Sequence, residues 1–212
     1  MKHITFYFDF ISPYAYLAFE KLPEFLEGLS YSVTYKPVLF SSFLKHHGQL
    51  GPAEIAPKRE WTYRQVQWQA RVSEVPLALP ASHPFNPLGV LRLAVACSEG
   101  GAPNRYVTET VFRHVWSRGG EAADPARLAA LTAQLKPRQD AQSEGVKLQL
   151  RANTEEALAS GLFGVPTMAV DGELFWGFEA LPMLQAYLQG DPWFGGPQWQ
   201  EAATLPVGIK RQ

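Results

Sequence analysis

Hydrophobic and polar positions at the start of the chain predict a strand, a helix and a second strand. Residues 3–10 (HITFYFDF) are rich in β-branched and aromatic side chains, which is typical of a buried strand. Ser12 and Pro13 follow as a good N-cap and first helical residue, and apolar residues then recur at helical spacing. Residues 31–39 (YSVTYKPVL) predict the second strand, and Pro37 favours a sheet edge or a strand end.

The middle of the chain has a different pattern, which predicts a bundle of helices. From about residue 41 to residue 160, apolar positions recur every three or four residues, as in Val107, Val111 and Val115. Glycine and proline residues separate the segments. The predicted helices cover residues 57–73, 87–99, 104–118, 125–135 and 138–160, the last in one or two pieces.

Strand patterns return near the C-terminus. Residues 166–170 and 174–176 predict two short strands, and Asp171-Gly172 between them is a strong two-residue hairpin turn. A last helix is predicted over about 179–188, before a tail rich in proline, glycine and tryptophan. The order βαβ, helices, ββα predicts an α/β thioredoxin-like fold with a large all-helical insertion.

This order also divides the chain into domains. A discontinuous thioredoxin-like domain is predicted at residues 1–40 and 161–190, interrupted by a helical domain at 41–160 and followed by a tail at 191–212. The N-terminus lacks the pattern of a signal peptide, and no segment approaches the roughly 18 apolar residues of a membrane helix. We therefore expect a cytoplasmic protein that does not bind membranes.

Charge and cysteine content exclude several classes of function. The 212 residues carry 19 basic and 20 acidic side chains, so the net charge is −1 and there is no basic footprint for a nucleic acid. Cys97 is the single cysteine, which excludes an intrachain disulfide, a C-x-x-C pair and a multi-cysteine zinc site. The adjacent histidines His46 and His47 have no partner at ligand spacing, so no metal site is predicted.

The predicted turn from the first strand into the first helix is the candidate reactive position. Thioredoxin-like oxidoreductases carry C-x-x-C there, whereas this chain carries S-P-Y-A from Ser12 onward. A serine hydroxyl cannot carry out redox chemistry, but it can donate a hydrogen bond to a thiolate that a ligand brings in. A decrease of about one to two units in the pKa of that thiol would make most of it nucleophilic at neutral pH. Ser12 could equally be only a helix cap.

The second candidate element is the segment FGVPT, which contains Val165 and Pro166. A proline that begins a strand opposite this turn is usually cis in thioredoxin-like folds, which leaves the backbone of the preceding residue free for a peptide-like ligand. Val165 would then pair with a cysteinyl backbone. Ser12 and Val165 together predict a site for glutathione.

Three segments resemble a known family. FYFDFISPYAYLA at 6–18, YKPVLF at 35–40 and NTEEALASGLFGVPTMAVDGELFWG at 153–177 are similar to the 2-hydroxychromene-2-carboxylate isomerases. These enzymes are grouped with kappa-class glutathione transferases in the DsbA-like branch of the thioredoxin superfamily. The resemblance implies that Ser12 activates the sulfur of glutathione and that Val165 binds its cysteinyl backbone. It also favours a homodimer.

The resemblance extends to further contacts with glutathione. Gln49 occupies the position of an asparagine that contacts glutathione in the family. Phe178 and Glu179 occupy the positions of a small or polar residue and an aspartate that bind the γ-glutamyl end. Glu179 could instead be an acid that only complements the dipole of its helix.

The candidates for the substrate pocket are Tyr14, Asn86 and Arg92, and Tyr14 is included as an aromatic side chain that could line the pocket or belong to the core. The segment HPFN at 83–86, together with Arg92, resembles the start of a family helix near that pocket. Asn86 could be only an N-cap, and Arg92 could bind a substrate carboxylate or pair with a neighbouring acid. The chain departs from the family at Gln65 and Trp68, where an aspartate and an arginine are usual.

The resemblance implies a glutathione-dependent isomerase acting on 2-hydroxychromene-2-carboxylate or a related intermediate of aromatic catabolism. Reversible thiolate addition would give the trans-hydroxybenzylidenepyruvate without net redox change. A kappa-like glutathione transferase is the first alternative, and a non-catalytic thioredoxin-fold binding module is the second.

Overall fold

A four-stranded mixed sheet lies at the centre of the structure, a computed structural model that describes residues 1–209. The strands are β1 (Lys2–Phe8), β2 (Tyr31–Pro37), β3 (Thr167–Val170) and β4 (Glu173–Trp176). Their order is β2-β1-β3-β4, with β1 parallel to β2, β3 antiparallel to β1, and β4 antiparallel to β3. Strand β2 therefore lies at a sheet edge, which confirms the interpretation of Pro37.

Nine α-helices and three short 3-10 helices accompany the sheet within residues 1–209. The α-helices are α1 (Pro13–Phe25), α2 (Phe40–His47), α3 (Ala56–Val72), α4 (Leu88–Ala96), α5 (Arg105–Trp116), α6 (Pro125–Leu135), α7 (Glu144–Ala159), α8 (Leu181–Leu188) and α9 (Pro197–Ala202). The 3-10 helices are Pro52–Glu54, Phe178–Ala180 and Pro192–Gly195. The observed order βαβ, helices, ββα agrees with the sequence prediction.

Local hydrogen bonds and backbone angles define one helix boundary and one turn near the C-terminal strands. The helix predicted over 138–160 begins at Glu144, because Ser143 is its N-cap and accepts a hydrogen bond from the amide of Val146. The hairpin turn at Asp171-Gly172 is confirmed, with φ of +52° and +87° at the two residues. This geometry is that of a two-residue type I′ turn.

The sheet separates two apolar layers. Ile4, Phe6 and Phe8 point from β1 into the larger core, whereas Tyr7 points into a smaller one with Phe43 of α2. This alternation is that of a strand buried on both faces.

Phe112 of α5 connects the helical insertion to the thioredoxin-like part. Its ring lies 4.8 Å from that of Phe10, 5.3 Å from that of Phe8 and 5.2 Å from that of Phe19, measured between centroids. The aromatic core is therefore continuous across the predicted domain boundaries, which themselves stay a prediction.

The segment after residue 190 contains the last 3-10 helix and α9, in addition to irregular chain. Phe194 packs against Phe175 and Tyr187, with ring centroids 6.1 and 5.2 Å apart. The end of the predicted tail, residues 210–212, lies outside the described residues. No helix among residues 1–209 is long and apolar enough to cross a membrane.

Replacing Phe112 with alanine is expected to lower the free energy of unfolding by about 3–5 kcal/mol, because the ring is fully buried and the site cannot collapse completely. Urea denaturation followed by circular dichroism measures this loss. Leu148→Ala on the exposed face of α7 is the control and should change stability by about 0.5 kcal/mol or less. Equal losses in the two variants would contradict the central position of Phe112.

Candidate active site

Ser12 lies at the turn between β1 and α1, where it is 7% exposed. It is the N-cap of α1, with extended backbone angles (φ −89°, ψ 114°), and its Oγ accepts a hydrogen bond from the amide of Ala15 at 3.2 Å. The same hydroxyl donates to the carbonyl oxygen of Val165 at 3.5 Å. Ser12 is therefore a helix cap, as one interpretation of the sequence predicted, and its hydroxyl proton is directed at the second predicted element.

Val165 lies opposite Ser12, and its backbone amide and carbonyl make few hydrogen bonds. The Val165–Pro166 peptide bond is cis, as expected from the sequence. Among the hydrogen bonds of residues 1–209, the amide of Val165 has no acceptor, and its carbonyl oxygen accepts only the long bond from Ser12. An unpaired amide beside a weakly bonded carbonyl is the pair of groups to which an extended peptide binds.

The start of α1 contains a second free donor. Pro13 has no amide proton, and the amide of Tyr14 has no acceptor among residues 1–209. The next two amides bond to Ser12, through its side chain and its carbonyl respectively. An anion in front of the helix therefore meets the hydroxyl of Ser12, the amide of Tyr14 and the positive end of the helix dipole.

Asp9 is a buried carboxylate directly before this turn, and sequence reasoning missed its role. Its Oδ1 accepts from the amide of Ile11 at 3.1 Å, and its Oδ2 accepts from the amide of Phe40 at 2.9 Å. Its own carbonyl accepts from the amide of Ser12 at 3.1 Å. Complete burial raises the pKa of Asp9 to about 7, although the backbone hydrogen bonds oppose the increase. The available signal was an acid within a run of buried aromatic residues.

His83 and Trp116 hold the two carbonyl groups that precede Ser12. The indole of Trp116 donates to the carbonyl of Phe10 at 2.8 Å, and Nε2 of His83 donates to the carbonyl of Ile11 at 2.7 Å. Burial lowers the pKa of His83, which favours the neutral ring. With the proton on Nε2, Nδ1 is the acceptor for the hydroxyl of Tyr63 at 2.8 Å.

Tyr14 is oriented by the first long helix of the insertion. Its hydroxyl donates to Oε1 of Gln65 in α3 at 2.8 Å. Burial raises the pKa of Tyr14, and the charge of Glu179 adds to the increase. Tyr14 is therefore a protonated hydrogen-bond donor, and Gln65, a departure from the family pattern, is its acceptor.

The segment that contains Phe178 and Glu179 is joined to the cis-proline. The amide of Gly177 donates to the carbonyl of Pro166 at 2.9 Å. Gly177 has φ of +99°, a backbone conformation that favours glycine. The carboxylate of Glu179 is exposed and close enough to Tyr14 to raise the pKa of that phenol, while Phe178 is half-buried.

The remaining predicted residues are less directly connected to the turn. Gln49 is exposed in the loop after α2, whose His47 contacts the carbonyl of Leu162 at 3.4 Å. Oδ1 of Asn86 accepts from the amide of Leu88 at 3.0 Å, but the N-cap of α4 is Pro87, so the interpretation of Asn86 as the N-cap is wrong. Arg92 donates to Oε1 of Gln142 at 3.2 Å, which places it between α4 and the segment before α7. Roles of these residues in ligand binding stay predictions.

Cys97 takes no part in the turn. It is half-buried at the end of α4, where it packs against the main core. Burial raises the pKa of its thiol. The fold and the site together define a thioredoxin-like protein with serine in place of the reactive thiol.

Comparisons with known proteins agree with this class. The family model of the DsbA-like thioredoxin domain matches residues 3–189. A solved structure of 2-hydroxychromene-2-carboxylate isomerase has the same fold, with a TM-score of 0.76 and 23% identity over 97% of this chain and 100% of that chain.

Curated relatives extend the comparison to sequence. The 2-hydroxychromene-2-carboxylate isomerase of Sphingobium xenophagum is 30% identical over 88% of this chain and 98% of its own length. Glutathione S-transferase kappa 1 of Rattus norvegicus is 27% identical over 91% of this chain and 92% of its own length. The chain belongs to the DsbA-like thioredoxin-domain family, together with the 2-hydroxychromene-2-carboxylate isomerases.

Ionisation of Asp9 is expected to make stability depend on pH. The pKa of Asp9 is about 7 in the folded protein and near the ordinary 3.8 in the unfolded chain. Between these values the folded state binds more protons, so the free energy of unfolding decreases as pH rises from about 4 to 7. The side chain of Asp9→Asn cannot ionise. As pH rises over this range, the free energy of unfolding of the variant should therefore increase relative to that of wild type, by an amount on the order of 4 kcal/mol.

Urea unfolding of both proteins at intervals between pH 4 and pH 8 measures this difference. Asp140→Asn is the matched control, because Asp140 also accepts a backbone amide, that of Gln142 at 2.9 Å, but is exposed. Its stability relative to wild type should stay constant. A constant difference for Asp9→Asn as well would contradict the assignment.

Proposed function

We propose that this protein is a glutathione-dependent isomerase that acts on 2-hydroxychromene-2-carboxylate or a related product of aromatic catabolism. The observation that carries the proposal is the contact of the Ser12 hydroxyl with the carbonyl of Val165, a residue whose backbone amide has no acceptor among residues 1–209. The two curated relatives described above, one named an isomerase and one a glutathione transferase, support it. The latter name supports glutathione as the ligand.

The residues of the cleft fit glutathione. Val165 offers an amide donor and a carbonyl acceptor to the cysteinyl backbone, and Glu179 offers a carboxylate to the γ-glutamyl ammonium group. Ser12 and the free amide of Tyr14 offer two donors to the sulfur. The bond from Ser12 to Val165 is long at 3.5 Å, so the hydroxyl can turn from Val165 to a thiolate at small cost.

Bound glutathione would supply a thiolate that adds reversibly to the conjugated double bond of the substrate, which allows rotation before the thiol leaves. Ser12, the amide of Tyr14 and the dipole of α1 would stabilise the charge on sulfur before addition and after elimination. Asp9, His83 and Trp116 keep those donors in place, because they bind the backbone of the turn on both sides of Ser12. The hydroxyl of Tyr14, whose proton is donated to Gln65, can accept a hydrogen bond from a hydroxyl group of the substrate.

Ser12→Ala is expected to raise the pKa of bound glutathione by about one unit, because one hydrogen bond to the thiolate is lost. Turnover at neutral pH should decrease by at least about tenfold, since less nucleophile is present. Titration of the ultraviolet absorbance of the thiolate measures the pKa.

Loss of the helix cap is a separate effect of this substitution, worth about 1 kcal/mol of stability. Ser143→Ala is the matched control, because Ser143 caps α7 in the same way through the amide of Val146. It should lose similar stability and keep the thiol pKa of wild type. The same titration curve in Ser12→Ala and Ser143→Ala would refute the role of Ser12.

Product analysis distinguishes isomerase from transferase activity. The protein with glutathione and 2-hydroxychromene-2-carboxylate is expected to give the trans-hydroxybenzylidenepyruvate and to leave the glutathione concentration unchanged. Incubation with a halogenated aromatic should give no conjugate above the uncatalysed rate. Conjugate without isomer would favour the kappa-like transferase, and absence of glutathione binding in calorimetry at millimolar concentration would favour a non-catalytic binding module.

A further inference from the structure

A cavity of about 340 Å³ lies between α3 and residues 79–83. This volume is near the lower end of the range for small-molecule sites, which is roughly 300–1,000 Å³. Its lining combines two aromatic rings, two hydroxyls, one guanidinium and apolar groups. The lining residues are Arg59, Tyr63, Leu79, Pro80, Ala81, Ser82 and His83.

The cavity adjoins the turn that contains Ser12. One of its walls is His83, whose Nε2 donates to the carbonyl of Ile11 at 2.7 Å. Ile11 and Ser12 are consecutive, so their Cα atoms are about 3.8 Å apart. Tyr63 completes this wall through its hydrogen bond to His83, with the two rings edge to face and their centroids 5.6 Å apart.

The cavity lining contains one formal charge, the guanidinium of Arg59. This residue forms no ion pair among residues 1–209, whereas Arg64 on the same helix is paired with Glu60 at 2.6 Å. Arg59 lies close enough to Tyr63 to oppose the increase that burial causes in the pKa of that phenol. Glu121 is not part of the lining, and its two carboxylate oxygens share the single hydroxyl proton of Ser82, at 2.9 and 2.8 Å.

The other arginine considered for a substrate carboxylate is engaged elsewhere. Arg92 donates to Gln142 beside α7, and its Nε is buried without a partner among residues 1–209. A planar guanidinium binds a carboxylate through two parallel hydrogen bonds. Arg59 therefore carries a charge without an ion-pair partner among residues 1–209, in a cavity that the side chain of His83 separates from the turn.

We propose that this cavity binds the carboxylate end of the substrate, with Arg59 as the specificity-determining cation and the rings of Tyr63 and His83 as the surface for its aromatic part. The class of ligand is a planar oxygen heterocycle with an attached carboxylate. This inference rests on the proposed function, because the ligand class is that of the proposed substrate.

Two unreactive probes test the inference without turnover. Chromone-2-carboxylate has the ring and the charge of the proposed ligand, and chromone-2-carboxamide has the same shape without the charge. Calorimetry should show that the wild-type protein binds the carboxylate about tenfold more tightly than the carboxamide, the size expected for a charge-assisted contact at a partly solvated site. Arg59→Gln should bind both probes equally, at the wild-type affinity for the carboxamide.

Arg64→Gln is the matched control, since it removes the same charge from the same exposed helix. It should keep the wild-type preference for the carboxylate. In steady-state assays Arg59→Gln should raise KM for the substrate about tenfold and leave kcat within about twofold, because the contact is made before and during the reaction. Arg59→Lys should restore part of the preference.

The outcomes separate this inference from the proposed function. If wild type binds glutathione but both probes bind equally or not at all, the inference is wrong and the proposed function stands. If the carboxylate preference depends on Arg59 while glutathione does not bind, the cavity is a carboxylate site and the proposed function is wrong. An equal loss of preference in Arg59→Gln and Arg64→Gln would also overturn the inference, because it would indicate a general effect of charge.

Discussion

The buried carboxylate of Asp9 is the contact on which the geometry of the cleft depends. Because β1 and β2 are parallel, their C-terminal ends lie at the same end of the sheet. The segments that follow the two strands both lead into helices there. Asp9 accepts one amide from each of these connections, that of Ile11 and that of Phe40. One side chain therefore fixes the first helix relative to the second and sets the direction in which Ser12 points.

Side chains from the helical insertion complete this arrangement. Trp116 at the end of α5 and His83 in the segment before α4 bind the carbonyls of Phe10 and Ile11. The carbonyls of Asp9, Phe10 and Ile11 are thus all bonded, while the amide of Tyr14 has no acceptor among residues 1–209. Fixed donors directed at a developing charge need no reorganisation when it appears, which is the property that preorganised sites share. The insertion serves as part of the site as well as a cover for the sheet.

The sequence predicted those parts of the fold and the site that have local signals. Ser12 with Pro13 marks a helix start, Asp171 with Gly172 marks a hairpin, and both are found where expected. Contacts between distant segments have no such signal. His83 bonds to a residue 72 positions away, and Asp9 bonds to one 31 positions away, so their roles depend on the folded topology. Arg59 is one charge on an exposed helix, and only the cavity beside it distinguishes it from its neighbours.

The burial and protonation of the single cysteine affect how well the polypeptide resists alkylation. A protein that binds an electrophile next to a thiolate is at risk of alkylation by its own substrate, because thiolates are the strongest nucleophiles among side chains at neutral pH. Cys97 is half-buried in the core, and burial favours its protonated form. Under the proposed function, an electrophile at the site would therefore meet only the thiol of bound glutathione, which dissociates and is replaced. A stable adduct would leave with that glutathione, and the polypeptide would remain intact.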